Sequence, residues 1–272
     1  MGQVVHTLPE GKPVVGVTLL AGEVYVLRPK ERDQVEVYDA ISYRLQRRLT
    51  VPNCRSYTDI TSCPHNRCVC VANFDDCCVF GLGLEGTGTT WWCVNDKPSG
   101  LSVNAAHNLL VTCAGVGKIK EFSSRGKLLR ELALPGDVIN PWHALQLTSG
   151  QLIACHGNRT DLVQRVCHLS DDGRHMIQSH GGQPGSATGK YNVPIHLAVD
   201  DNEFVFVADV YNRRVTLLSP TLGYVRQVVA SDDLKWHPRS LCLDTQSRRL
   251  YVADNESKDG KWTSGRVVAF SV

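Results

Sequence analysis

Two histidines stand at matching places in repeated segments of this chain: His143 in Asn140-Pro141-Trp142-His143-Ala144-Leu145, and His196 in Val193-Pro194-Ile195-His196-Leu197-Ala198. The corresponding position is Ser240 in a later segment, Gly100 in an earlier one, and Thr58 or Asp59 in another. Two imidazoles and a carboxylate around one opening could ligate a divalent metal, and a metal there could support lyase or hydrolase chemistry. The same side chains could equally be polar tips bonded to neighbouring backbone or water. His143, His196 and Asp59 are therefore the candidate metal ligands, set against a reading with no cofactor and no catalytic residue. No acid/base pair and no nucleophile with a partner can be assigned from spacing.

The cysteines are the second chemical feature. There are eleven, six of them between Cys54 and Cys78. Cys54, Cys63, Cys68, Cys70, Cys77, Cys78 and Cys93, with His65 nearby, invite a zinc reading. Structural zinc takes close ligand pairs on turns that wrap the metal. Cys68 and Cys70 instead fall on a strand, facing one side of a sheet at core positions, where a thiol serves as a small hydrophobe. Buried reduced thiols are the expectation. Cys77 and Cys78 are expected on opposite faces of a strand and so not joined to each other, though either could enter an inter-strand disulfide.

Two glycine-rich stretches carry no phosphate chemistry. Gly81-Leu82-Gly83-Leu84-Glu85-Gly86 has dinucleotide-loop spacing but runs into a strand, without the helix N-terminus that a pyrophosphate requires. In 185–190, Pro184 and Tyr191 occupy the places of a phosphate loop's first glycine and its hydroxyl ligand, so this is a connecting turn.

The elements that position these residues repeat. Apolar strand, polar turn, apolar strand recurs six times, anchored on Val26, Val71, Val111, Ile153, Val207 and Val252, at intervals of 45, 40, 42, 54 and 45 residues. That is the period of a four-stranded propeller blade. A Pro-containing approach and a short apolar stretch precede the hairpins at 98–103, 141–147, 194–199 and 238–243, and these are the inner strands. A further strand, such as 127–134 or 224–229, forms the outer edge. The last blade lacks a fourth strand, and 3–7 precedes the first inner strand, 14–20, with no partner. Pairing 3–7 beside 267–272 closes the ring and covers an open edge. The expected fold is an all-β six-bladed β-propeller, a single domain over 1–272.

Ser179 through Asp200, SHGGQPGSATGKYNVPIHLAVD, with the following Val-Ala-Asp and Asn212-Arg213-Arg214-Val215, resembles the NHL repeat, closely in blades five and six and loosely in one to four. The resemblance implies the C-terminal recognition module of TRIM-type ubiquitin ligases, which binds protein or RNA. Related propellers include metal-dependent lyases and lactonases, and fold alone does not choose among them. No RING or B-box Cys/His array occurs in this sequence.

Arg55, Trp142, Trp236, His237 and Arg239 precede inner strands and join His143 and His196 on one face. Arg and Trp beside a concave opening suit a protein segment or single-stranded RNA. Lys97, Lys118, Lys120, Arg159, Arg213 and Arg214 would add charge at the rim. A formal net charge of +2 makes no global case for nucleic acid or anionic membrane. The N-terminus lacks the basic and apolar regions of a secretory signal, and His6 replaces the Ser or Thr of a myristoylation site. A cytoplasmic monomer is the expectation, with no membrane partner. The sequons at Asn158 and Asn255 keep an extracellular location open.

Overall fold

Alternating short strands and tight turns leave this chain few ways to bury its apolar faces, and a ring of stacked sheets is the one adopted. In the computed structural model, which describes residues 2–28, 34–51, 56–84 and 89–272, six four-stranded antiparallel sheets form the blades of a propeller. The inner strands are Gly16–Leu20, Tyr57–Cys63, Gly100–Val103, Pro141–Gln146, Pro194–Val199 and His237–Asp244. The five for which a range was expected match it to within about two residues.

Gln3–Thr7 is the outer strand of blade six, with Gln3 opposite Ser271, Val4 opposite Phe270 and Thr7 opposite Val268. The closure continues inward, where Leu8 N–H donates to Val267 O at 2.8 Å and Gly11 exchanges two 3.0 Å bonds with Gly265. The strand is largely exposed, so backbone pairing rather than burial holds it in place.

Middle strands such as Leu109–Cys113 and Val205–Asp209 are buried at every position, because each blade is covered by a neighbour on both faces. Six hydrophobic clusters fill the six gaps between blades. Outer strands such as Leu45–Thr50 bury little.

The Val-Ala-Asp signature now has a physical role. Asp209 accepts Asn192 N–H at 2.7 Å and pairs with Arg214 at 2.9 Å, while Asp254 accepts the N–H groups of Lys235 and Trp236 and pairs with Arg266 at 2.8 Å. Each aspartate ties the strand to the loop that leads into its own inner strand. In blade four His156 stands in this place; Arg165 donates to its Nε2 at 3.0 Å and its Nδ1–H reaches Ile139 O at 3.1 Å. Burial and the Arg165 charge depress the His156 pKa to about 4, so the ring is neutral at pH 7.

Cys77 differs from expectation. It is a turn residue with φ of 50°, equivalent to Arg213 at 53°, so strand alternation does not govern its relation to Cys78. Of the ten described cysteines none is in a disulfide; six are buried and Cys93 is exposed. Among the described residues no helix is long and apolar enough to cross a membrane.

Candidate functional site at the channel mouth

Four inner strands begin with the same irregularity. The register slips between Tyr57 and Asp59, Pro141 and His143, Pro194 and His196, and Pro238 and Ser240, which leaves Thr58, Trp142, Ile195 and Arg239 as the extra, unpaired residues. A bulge re-aims the side chain that follows it. Asp59, not Thr58, is thereby the equivalent of His143, His196 and Ser240, and Gly16 and Gly100 complete the ring.

These side chains bond from blade to blade. Asp59 accepts Leu101 N–H at 2.8 Å, His196 Nδ1 accepts Leu241 N–H at 3.3 Å, and Ser240 Oγ accepts Val17 N–H at 3.2 Å. Each satisfies an inner-edge N–H of the next blade, which no further strand is present to pair.

Three of them also cross the axis. Asp59 from blade two meets His196 from blade five, Nε2 to Oδ1 at 3.4 Å, and the His196 ring stacks on His143 of blade four with centroids 3.9 Å apart. His143 Nε2 is 3.8 Å from Asp59 and 3.0 Å from Leu101 O. Gly100 makes room for this stack: a Cβ there would lie 3.0 Å from His143 Cδ2 and 2.5 Å from Trp142 O. Below the crossing lies a channel cavity of about 210 Å³, walled by inner strands.

The hydrogen-bond directions fix the protons. His196 Nδ1 accepts a backbone N–H, so a neutral ring carries its proton on Nε2 and donates it to Asp59. His143 Nε2 faces a carbonyl and must donate, which leaves its buried Nδ1 as a lone pair without a partner among the described residues. Burial, then the adjacent His196 ring, push the His143 pKa down to about 3. For Asp59 burial raises the pKa, but the His196 and His143 rings and the Leu101 N–H outweigh it and hold the carboxyl below the usual carboxylate range.

Asp59, His143 and His196 are the one group among the described residues with three ligand atoms within 4.8 Å of one another. In this arrangement both imidazole nitrogens nearest Asp59 carry protons, so a divalent ion could be held there only if each ring gave up its proton and the backbone bond that orients it.

Around the mouth, aromatic and cationic groups gather over blades five and six. Arg239 is half-buried, with an enclosed Nε that has no partner among the described residues, and its guanidinium stands 5.5 Å from the Trp262 ring centroid. His237 packs edge-on between Tyr211 and Trp262, centroids 5.5 and 6.1 Å away, and shares its Nδ1 proton with Val210 O. Trp236 lies between Lys235 and Arg266. Half-buried Trp142 donates Nε1–H to Gly157 O at 3.0 Å. Arg55 and Cys54 lie outside the described residues, as do Glu85 and Gly86 of the glycine-rich motif.

Tyr211 and Trp262 are not among the residues singled out by sequence. Trp262 projects from the hairpin of Arg249–Lys258 and Lys261–Ser271, whose strands of 10 and 11 residues exceed the five or six usual elsewhere in the ring. That excess length was the available signal. The rim cations are engaged: Lys118 and Lys120 with Glu131, Lys120 also with Asp96, Arg214 with Asp209, and Arg213 with the carbonyls of Leu234 and Trp236. Lys97 and Arg159 each sit 4.7 Å from an aromatic centroid, of Phe74 and Tyr211.

The mouth face also exposes aliphatic side chains on blades three and four: Val116 at 47%, Ile139 at 52%, Leu162 at 84% and Val163 at 37%. Backbone bonds from Leu134 N–H to Gly117 O and from Gly157 N–H to Asn140 O tie their loops together. The opposite face is built of short turns closed by side chains such as Asn104, Asp200 and Asp244.

No family model matches the chain, and no curated protein matches it. Solved structures do. One is a Kuenenia stuttgartiensis hydrazine synthase, 13% identical, with a TM-score of 0.66, covering 96% of this chain and 97% of that one. Another is virginiamycin B lyase from Staphylococcus aureus, 9% identical, TM-score 0.65, covering 97% and 98%. A third is the β-propeller domain of Myceliophteria thermophila Cps50 (Swd1), 11% identical, TM-score 0.64, covering all of both chains. At such identities the likeness establishes the propeller fold alone.

Proposed function

We propose that this chain is a non-catalytic recognition module of the NHL-propeller kind, binding a protein segment on its mouth face as the substrate-recognition part of a TRIM-like ubiquitin ligase would. The observation that carries this reading is the set of exposed aliphatic residues on linked loops of that face, Val116, Ile139, Leu162 and Val163. Apolar side chains gathered beyond what a surface needs mark interaction sites. The cluster of Tyr211, His237, Arg239 and Trp262 across the mouth supplies aromatic and Arg anchors of the type that dominates binding energy.

Protein is favoured over RNA by charge. Phosphate recognition requires free cations, and Lys118, Lys120, Arg213 and Arg214 are spent on internal carboxylates and carbonyls, with Lys97 and Arg159 placed over rings. A metal-dependent lyase or hydrolase is disfavoured by the proton positions on His143 and His196.

The test is affinity capture under native conditions with the wild type and with Leu162→Asp, Trp262→Ala and the outer-rim control Tyr224→Ala. A protein retained by the wild type and the control, and lost from both mouth-face variants, supports the reading. Equal retention by all four, or recovery only of nucleic acid whose binding collapses with salt, overturns it.

A further inference from the structure

The cysteine cluster is not absorbed by the mouth-face reading. Its thiols lie in blade two on the hairpin of Tyr57–Cys63 and Cys68–Asn73, where Cys63 pairs directly with Cys68. Directly opposed residues place their Cβ atoms about 4.5–5.5 Å apart, close to the separation of about 3.5–4.5 Å that a disulfide spans. Cys68 and Cys70 are two residues apart on one face of one strand. Their backbone separation of roughly 6.6 Å is less suited to a covalent bridge.

The next strand places glycines beside these thiols. Cys68 pairs with Gly83 and Cys70 with Gly81, and Thr90 and Trp92 of the strand beyond reach over Gly81. The result is a small recess of about 30 Å³ between blades two and three, lined by Cys63, Cys68, Cys70, Gly81, Trp92 and His107. At its edge Asn66 Nδ2–H donates to Cys63 Sγ at 3.0 Å, and the His65 and His107 rings stack 4.1 Å apart. Cys68 is only half-buried, whereas Cys63 and Cys70 are buried.

We infer that Cys63 and Cys68 form a redox-active dithiol, with the half-buried Cys68 the attacking thiolate and the buried Cys63 the resolving thiol. The neighbouring Cys70 thiol lowers the Cys68 pKa, and that of Cys70 is raised. A lowered pKa increases the thiolate fraction that reacts.

The co-reactant is a low-molecular-weight disulfide, RSSR. The Cys68 thiolate attacks one of its sulfurs, breaking the S–S bond, forming a Cys68–SR mixed disulfide and releasing RS⁻. Cys63, losing its proton, then attacks Cys68 Sγ, forms the Cys63–Cys68 bond and expels the second RS⁻. The two protein thiols are oxidised by two electrons, RSSR is reduced to two thiols, and the protons shed by Cys68 and Cys63 neutralise them.

Trypsin provides the readout, because Arg67 separates the two cysteines onto different peptides. Native protein is incubated with oxidised glutathione, alkylated, digested and analysed by mass spectrometry. The expected product is peptide 56–67 joined through Cys63 to the peptide beginning at Cys68, with the link lost on reduction. Cys63→Ser should accumulate glutathione on Cys68, Cys68→Ser should form neither product, and Cys70→Ala should slow alkylation of Cys68 by at least about threefold. A Cys68–Cys70 link, glutathione retained on Cys68 in the wild type, or no reaction at these cysteines in folded protein would overturn the assignment. The wild-type measurement needs no variant to fold.

Discussion

Replacing Asp59 with Asn tests whether the crossing at the channel mouth is a structural bond network. The substitution keeps the shape of the side chain, removes its charge and turns one acceptor oxygen into a donor. In the wild type Ile60 N–H at 2.9 Å, Leu101 N–H at 2.8 Å and His196 Nε2 at 3.4 Å all converge on the carboxylate. An Asn amide must turn its NH2 toward at least one of these donors. One charge-assisted bond at about 1.5–3 kcal/mol is lost and a buried donor is stranded, so a total cost of about 2–4 kcal/mol is expected. The unfolding entropy of a chain of 272 residues, at about 2.1 cal/mol/K per residue, converts this into a fall in Tm of about 4–7 °C. Calorimetry and urea unfolding at pH 7 read both quantities. The acid limb supplies the sign: a carboxyl held below its unfolded pKa contributes stability that is present above that unfolded value and lost as pH falls through the folded one. The variant should lack this component. A variant within about 0.5 kcal/mol of wild type would refute the network. So would a zinc-dependent rise in Tm seen in the wild type and absent from the variant, because only a metal ligand set predicts it.

Two further outcomes follow from the same site. The His143 pKa is pushed down to about 3, whereas an unfolded histidine titrates near 6.5, so between those values only the unfolded chain takes up this proton. Stability should therefore decline as pH falls from about 6.5 toward 3, with a contribution of up to about 1.4 kcal/mol per pH unit that His143→Gln removes; equal slopes for both proteins in urea unfolding at pH 7, 6 and 5 would contradict the neutral buried ring. Gly100→Ala puts a methyl 2.5 Å from Trp142 O and against the His143 ring. It should cost about 1–3 kcal/mol by overpacking, while Gly115→Ala, with nothing within 4 Å of its Cβ, should be nearly neutral.

Much of the fold was legible because a propeller repeats one local problem six times. The anchors from Val26 to Val252, the prolines before the inner strands and the complementary strands at the two ends of the chain each record a period-two or blade-length pattern, and such patterns are properties of sequence order. The equivalence of His143, His196 and Ser240 was readable for the same reason. What tertiary structure alone decided depends on contacts between residues far apart in the chain. The bulge after Tyr57 chose Asp59 over Thr58, because it is the pairing with Ala72 that fixes which residue turns toward the axis. The protons on His196 and His143 were set by Leu241 N–H and Leu101 O, groups from neighbouring blades. Rim cations that read as a charged surface proved to be held by Asp209, Glu131 and backbone carbonyls. Trp262 reached Arg239 only through a hairpin longer than its counterparts. Composition and spacing determined the ring, the strand order and its closure; which side chains meet across the channel, with which proton on which nitrogen, was decided only when six blades were brought around one axis.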